Sequence, residues 1–331
     1  MGLSYNPDTD VPNLAGKKLT PQQFKGTSGI GKQTVLELAK HNPSHIYFTG
    51  RNTLSAATVI SQSNLSPQSI TFIPCDLASL ESVRQAAETH FKHDRLDIFI
   101  ANAGILAVPP GLTKDGYEIQ FGTNHLGNAA LLLRLLPVML RTAGDFVPDA
   151  EKEEEGEKEK DVRFVAVTSL GYFTHPVNGI DFAGLKTKQE NLLLGKWARY
   201  GQSKLANVLF ARELGKRFPQ ITSVAVHPGV VKTEMITRLG LVDRVLTWGM
   251  SPLGMLTPRE GAYNTLWAAT AADVRGRMRK GDEGGEVALF EPVGRPHAGS
   301  AKCRSDELAG RLWEWTVEEV GVEVEGNMSG R

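Results

Sequence analysis

The chain has 331 residues, 41% of them hydrophobic and 22% charged, ordinary values for a globular protein that exclude a disordered chain or a fibrous repeat. Lys plus Arg and Asp plus Glu both number 37, so there is no global field to draw in nucleic acid or an anionic membrane. Cys75 and Cys303 alone cannot build a disulfide scaffold or a four-ligand zinc site, and no metal site is expected; residues 1–10 lack the apolar core of a signal peptide, and no run of about 18 apolar residues occurs, so a cytoplasmic protein without a transmembrane segment is expected.

In chain order, residues 14–25 (LAGKKLTPQQFK) are polar, and their Pro21 cannot donate to a sheet ladder. Gly26-Thr27-Ser28-Gly29-Ile30-Gly31 then leads into a helical pattern over residues 32–41. A glycine turn at a helix N-terminus offers backbone N–H groups and the positive end of the dipole to a pyrophosphate, which makes Gly26, Ser28, Gly29, Ile30 and Gly31 candidates. Residues 44–50 read as a strand ending at Gly50-Arg51-Asn52. An acid here would hold a ribose 2′-hydroxyl. Gly50 offers none and Arg51 can pair with a 2′-phosphate, which points to NADP(H), against the plainer reading of an exposed arginine.

Residues 69–74 form the next expected strand, followed by Asp76-Leu77, where an Asp can accept from an adenine amino group or cap a helix. A helical pattern covers residues 80–91, and residues 96–101 read as a strand before Asn102-Ala103-Gly104, small residues that let a flat ring approach the backbone or simply make a turn. Asn124 stands ahead of a helix expected over residues 128–141, where a capping role is the bland alternative. Residues 149–161 hold eight acids and three lysines and read as a solvated loop insertion.

The strand expected over residues 162–168 ends at Ser169, at the edge of a parallel sheet where ligands bind. A hydroxyl there can hydrogen-bond a carbonyl oxygen that becomes negative in a transition state, or form a turn. The helix expected over residues 191–218 carries Tyr200-Gly201-Gln202-Ser203-Lys204, whose i, i+4 spacing puts phenol and ammonium on one face. The cation is expected to lower the Tyr200 pKa from about 10, so that it exchanges a proton near neutral pH. Residues 221–226 form a fifth strand, leading to Pro228-Gly229-Val230-Val231-Lys232-Thr233; residues 261–270 form a further helix, and residues 306–320 a packed C-terminal one before a frayed tail. Strands alternating with helices argue an α/β, Rossmann-like, doubly wound parallel sheet in one domain, with residues 1–25 as a leader and residues 26–322 as the domain proper.

Together these motifs resemble the short-chain dehydrogenase/reductase family from about Gly26 to Gly294. The separation of Ser169 from Tyr200, with Asp181-Phe182 between, and the run Tyr200 to Asn207 are similar to the retinol dehydrogenase and protochlorophyllide reductase branch; Leu312-Trp313-Glu314-Trp315-Thr316 is similar to its fungal members. The resemblance implies Tyr200 as general acid or base, Lys204 tuning it and holding the nicotinamide ribose, Ser169 polarising the substrate oxygen and Asn124 holding a relay water. It also implies Pro228, Gly229, Val231 and Thr233 along the nicotinamide, residues 235–256 as a variable lid, and a lipophilic carbonyl or alcohol as substrate. Homo-oligomerisation is left open, and a non-catalytic binding or regulatory relative is the alternative function.

One stretch departs from the pattern. The first strand of the family is an apolar run, and here it is polar; Phe24 and Lys25 stand where the family has Thr and the first Gly. Three readings follow: the segment pairs as a poor strand, the cofactor site is degenerate, or an exon boundary has been misread.

Overall fold

The apolar runs form the middle layer of the molecule. In the computed structural model, which describes residues 3–22, 28–144, 161–237, 240, 243, 254–278 and 289–324, the strands are β1 (Lys18–Gln22), β2 (His45–Gly50), β3 (Ile70–Pro74), β4 (Ile98–Ala101), β5 (Val162–Val167), β6 (Ile221–Val226), β7 (Leu289–Glu291) and β8 (Arg295–Pro296). They make one sheet in the order β3-β2-β1-β4-β5-β6-β7-β8, parallel throughout except for β8. β2, β4, β5 and β6 are buried along their whole length, as strands covered on both faces must be, and they read as continuous apolar runs for that reason.

The helices are α1 (Gly29–Ala39), α2 (Thr53–Ser63), α3 (Leu80–Gln85), α4 (Ile119–Ala143), α5 (Lys196–Arg217), α6 (Pro258–Thr270) and α7 (Asp306–Val320). One core holds Leu131, Leu135, Leu205, Phe210 and Trp313, so α4, α5 and α7 share a face of the sheet. The other holds Val35, Leu38, Leu266 and Trp267 from α1 and α6. The strand order reverses between β1 and β4, and ligands of such sheets bind beyond the strand C-termini at that switch point.

β1 is where sequence and structure meet least comfortably. It forms as a strand in the middle of the sheet, pairing Leu19 with both Ile46 and Ile98 and running on along β4 to Gln22 beside Ala101. The first of the three readings therefore describes the fold. Pro21 lies opposite Ile100 and brings no N–H to the ladder. Compensation comes from the polar entry: buried Asp97 accepts from the Lys18 amide at 2.9 Å and pairs with Lys17 at 3.2 Å, while the Asp97 amide donates to the Lys18 carbonyl.

Helices also differ from their expected spans: α1 and α6 each start three residues early, α3 passes into a π turn over Ala86–His90, and α4 and α5 depart most. α4 begins nine residues before residue 128 and includes a π turn over Gly122–Leu126, so Asn124 lies inside the helix and not ahead of it. The polar Gly-Thr-Asn-His-Leu composition of that turn hides its helicity from periodicity. This helix is long and apolar enough to cross a membrane by length and composition, which the run-length criterion overlooks; 72% of its apolar window is buried inside the molecule. α5 starts at Lys196, because Leu194 and Gly195 both take positive φ. Residues 149–160, Phe24, Lys25, Gly26, Thr27, most of residues 235–256 and the tail from 325 lie outside the described residues.

Candidate active site

β5 and α5 bring Ser169, Tyr200 and Lys204 together at the C-terminal edge of the sheet. The carbonyl of Val167, the last residue of β5, accepts from Lys204 Nζ at 3.0 Å and from Asn207 Nδ2 at 3.3 Å, while Thr168 Oγ1 donates to the Lys204 carbonyl at 2.8 Å. Helix and strand are thus locked in register where Tyr200 and Lys204 face the sheet edge. Ser169 follows in an extended conformation; its Oγ accepts from the Gly171 amide at 3.1 Å, and its side chain is hydrogen-bonded to Tyr200. A Cβ on Gly171 would stand 2.7 Å from Tyr200 Cε1, so glycine lets the Ser169 turn lie against the phenol ring. Lys204 Nζ is 5.8 Å from the Tyr200 ring centroid.

Burial governs the protonation of both. It pushes the Tyr200 hydroxyl up to about 12, with the Ser169 bond pulling the other way, and it pushes Lys204 down to about 8. The expected lowering of the Tyr200 pKa by Lys204 is therefore not what the structure shows. The ammonium is turned to the Val167 carbonyl, and removal from water outweighs the neighbouring cation.

Asn124 ties the exit of β4 to α5. Its Oδ1 accepts from the Ile105 amide at 2.7 Å, and its Nδ2 donates to the Ile105 carbonyl at 2.9 Å and to Ser203 Oγ at 2.9 Å. Its backbone carbonyl accepts from Asn128 Nδ2 at 3.0 Å. A Cβ on Gly104 would sit 3.1 Å from Asn124 Oδ1 and 3.4 Å from Lys204 Nζ, so the Asn102-Ala103-Gly104 turn comes up directly beside Lys204. Ala103 is buried, and its carbonyl accepts from Asn128 Nδ2 at 3.3 Å.

A second group of candidates lines the other half of the edge. α1 starts at Gly29 behind Ser28, whose side chain makes no capping bond, and its first turn, with Ile30 and Gly31, has no acid. Gly29 takes φ +61°, and a Cβ there would lie 3.5 Å from Thr233 Cγ2, so the α1 terminus and the Pro228–Thr233 turn touch. That turn is pinned by Gly229 at φ +84° and by the Val230 carbonyl, which accepts from the Leu256 amide at 2.8 Å; Val231 beside it is buried. Beyond β2, Arg51 stands 4.0 Å from Asp76 Oδ1, while Lys114 stands 3.6 Å from Oδ2. Asn52 caps α2, accepting from the Ser55 amide at 2.9 Å, and Leu77 is buried behind Asp76.

This geometry belongs with what comparison shows. A family model for short chain dehydrogenase matches residues 25–147. An uncharacterized oxidoreductase of Schizosaccharomyces pombe is 38% identical over 80% of this chain and 75% of its own length. A short-chain dehydrogenase/reductase of Aspergillus calidoustus is 34% identical over 94% of this chain and 95% of its own. The chain belongs to the short-chain dehydrogenase/reductase family. Human retinol dehydrogenase 12 is 31% identical over 89% of the chain and 84% of its own length. A crystal structure of a protein from Mycobacterium Paratuberculosis superposes with a TM-score of 0.67 at 26% identity, covering 98% of this chain and 99% of that one.

In this short-chain dehydrogenase/reductase several residues at the site escape sequence reasoning. His227 ends β6 and is kept neutral, its pKa pushed down to about 4 by burial. Asn264 on α6 donates to the carbonyls of His227 and Phe290 and accepts from the Gly294 amide, closing the ends of β6 and β7. Lys114 beside Asp76 and Arg199 beside Tyr200 look like solvated charges in the sequence. Only the burial of Arg199 against Glu118 in the fold shows otherwise.

Proposed function

We propose that the protein is an NADP(H)-dependent oxidoreductase that interconverts a carbonyl and an alcohol on a lipophilic small molecule. The observation that carries this reading is the meeting of Tyr200, Ser169 and Lys204 at the β5 and α5 edge of the same sheet whose α1 terminus touches the Thr233 turn.

The residues present fit a nicotinamide dinucleotide. The N–H groups of Ser28, Gly29, Ile30 and Gly31 at the start of α1, where the Ser28 side chain makes no capping bond, suit a pyrophosphate. Asp76 and Leu77 suit the adenine end, and Arg51 with Asn52 suits a ribose 2′-phosphate. The Asn102-Ala103-Gly104 turn, Lys204, Pro228, Gly229, Val231 and Thr233 border the space for the nicotinamide and its ribose. Gly26 completes the phosphate turn in the sequence. The bound nicotinamide supplies or accepts the hydride.

Tyr200 performs the proton transfer. With its pKa raised to about 12 it is protonated at neutral pH, which favours its role as acid and hence the reducing direction. Ser169 Oγ is placed to donate to the same substrate oxygen as negative charge develops there. Lys204, at about 8, is still mostly protonated at pH 7 and adds positive potential beside the phenol. Asn124 holds the Ile105 backbone and Ser203 with its side chain, and is the residue to which the family resemblance gives the relay water. The retinol dehydrogenase among the relatives supports a lipophilic substrate.

Two measurements test the reading on the full chain. Titration with NADPH should give a saturable change in protein fluorescence, tighter than with NADH. Turnover of long-chain aldehydes with NADPH should fall by at least about a thousandfold in Tyr200→Phe, a loss typical of a removed general acid with its hydrogen bonds. Failure to bind either cofactor would favour the non-catalytic alternative.

A further inference from the structure

Five described non-glycine residues take positive φ: Asn42, Asn64, Ala107 (+49°), Gln189 (+49°) and Leu194 (+64°). Asparagine tolerates this conformation; alanine, glutamine and leucine do not, and they hold it only where the surroundings dictate it. The three intolerant positions lie on two stretches of chain, residues 105–112 and 181–195, and both meet Arg199, next to Tyr200.

Arg199 NH2 donates to the carbonyl of Val108, directly after Ala107, at 3.2 Å. Its NH1 donates to the carbonyl of Gln189 at 3.2 Å. The first-turn backbone bond of α5, from the Arg199 amide to the carbonyl of Gly195 directly after Leu194 (3.1 Å), is ordinary helical pairing and owes nothing to the guanidinium. Arg199 Nε faces Glu118 Oε1 at 3.3 Å, with the two side chains 2% and 0% exposed. Glu118 is itself fixed, its Oε2 accepting from the Phe121 amide at 2.6 Å and its amide donating to the Leu185 carbonyl at 2.7 Å. Gln202, one turn on, repeats the grip: its Nε2 donates to Gln189 Oε1 at 2.5 Å, and its Oε1 accepts from the Asp181 amide at 3.3 Å.

A buried ion pair is a poor device for stability alone, since apolar groups of the same volume often serve as well. What the guanidinium adds is direction, with several N–H groups in a fixed fork aimed at separate loops. We propose that Arg199 is a positioning residue that clamps residues 105–112 and 181–195 against the Tyr200 helix and so shapes the substrate side of the site. Residues 105–112 continue from the Gly104 turn, and residues 181–195 lie on the connection from Ser169 to Tyr200, so both flank the reacting groups. The proposal rests on the carbonyl–alcohol reading only in calling that side the substrate's.

Hydrogen exchange of the full-length Arg199→Gln and Arg199→Lys proteins tests it without a substrate. In Arg199→Gln the amides of residues 105–112 and 181–195 should exchange at least about tenfold faster, with β4 and β5 unchanged and the NADPH dissociation constant within about twofold. Arg199→Lys should be intermediate, and it carries the test if the glutamine variant does not fold. With NADPH and the aldehydes from butanal to dodecanal, Arg199→Gln should raise KM for the long members about tenfold while kcat stays within about threefold. Unchanged exchange in both segments, or a uniform increase across the sheet, would overturn the proposal. Failure of the wild type to turn over any aldehyde would sink the carbonyl–alcohol reading instead, and the exchange result would still decide the role of Arg199.

Discussion

Tyr200 and Lys204 are driven in opposite directions by the same cause. Burial opposes charge on each, so the phenol keeps its proton to about 12 and the ammonium loses its own near 8. In the neutral range the acid is therefore always loaded, and Lys204 is the group whose state changes. The pH profile of carbonyl reduction follows from that. The rate should be flat between about pH 6 and 7.5 and fall above pH 8 as the lysine deprotonates and its field on the developing oxyanion is lost. Lys204→Met should lower the rate by about a hundredfold or more and abolish that limb. Steady-state rates against pH for the two proteins check it. A profile that rises through pH 8 would instead mark Tyr200 as a base working in the oxidising direction. The four-residue spacing puts the two side chains on one face of α5, as the 5.8 Å from Lys204 Nζ to the Tyr200 ring has it. The sequence misjudged the Tyr200 pKa, because desolvation is a property of the folded site.

The elements differ in how much of themselves they print in the sequence. β5 and β6 are mostly apolar, with Arg163, Thr222 and Ser223 the polar exceptions, and their spans are read almost to the residue, since burial on both faces demands it. β1 prints little: among its described side chains Leu19 is the fully buried apolar one, and its place is held by contacts to Asp97, far away in sequence. β7 is three residues long, too short for a pattern. The π turn of α4 is hidden for another reason, being specified by close packing and not by periodicity. Gly127, the first residue after it, shows this: a Cβ there would fall 2.3 Å from the Leu77 carbonyl oxygen. That neighbour is backbone and cannot rotate away. Gly127→Ala should push α4 off the Asp76–Leu77 loop, destabilise the protein by about 1–3 kcal/mol as overpacking does, and weaken NADPH binding with the displaced Asp76. Thermal melts and NADPH titration of the variant measure the two effects. A stable Gly127→Ala protein with wild-type affinity would show that the helix rides freely there.

At the scale of the molecule, the cores on the two faces of the sheet bury histidines that must stay neutral. His125 lies on α4 against Phe210, with its Nε2 3.0 Å from Thr316 Oγ1 of α7. His227 closes β6 under Asn264. Burial pushes the first down to about 3 and the second to about 4. His41, His45 and His93 are lowered as well, again chiefly by burial. In the unfolded chain each returns to about 6.5. Between that value and its folded pKa the unfolded state binds more protons, so stability is complete above about pH 6.5 and is lost as the pH falls. For His125 and His227 together the loss is about 3 kcal/mol per pH unit once both are fully protonated in the unfolded chain, from about 1.4 kcal/mol each. Integrated down from pH 6.5, these two groups remove about 4 kcal/mol by pH 5 and about 6 kcal/mol by pH 4, so a protein at the low end of the typical range of about 5–15 kcal/mol unfolds near pH 4 to 5, where carboxylates begin to titrate as well. His125→Gln, which keeps a hydrogen-bonding group toward Thr316 and removes the titration, should shift the acid midpoint downward relative to its own stability at pH 7. Urea melts at half-unit steps from pH 7.5 to 4 measure this as the slope of stability against pH. The wild-type slope should steepen below pH 6.5, and the variant should lose His125's share of it, about 1.4 kcal/mol per pH unit; parallel curves would place the acid sensitivity elsewhere.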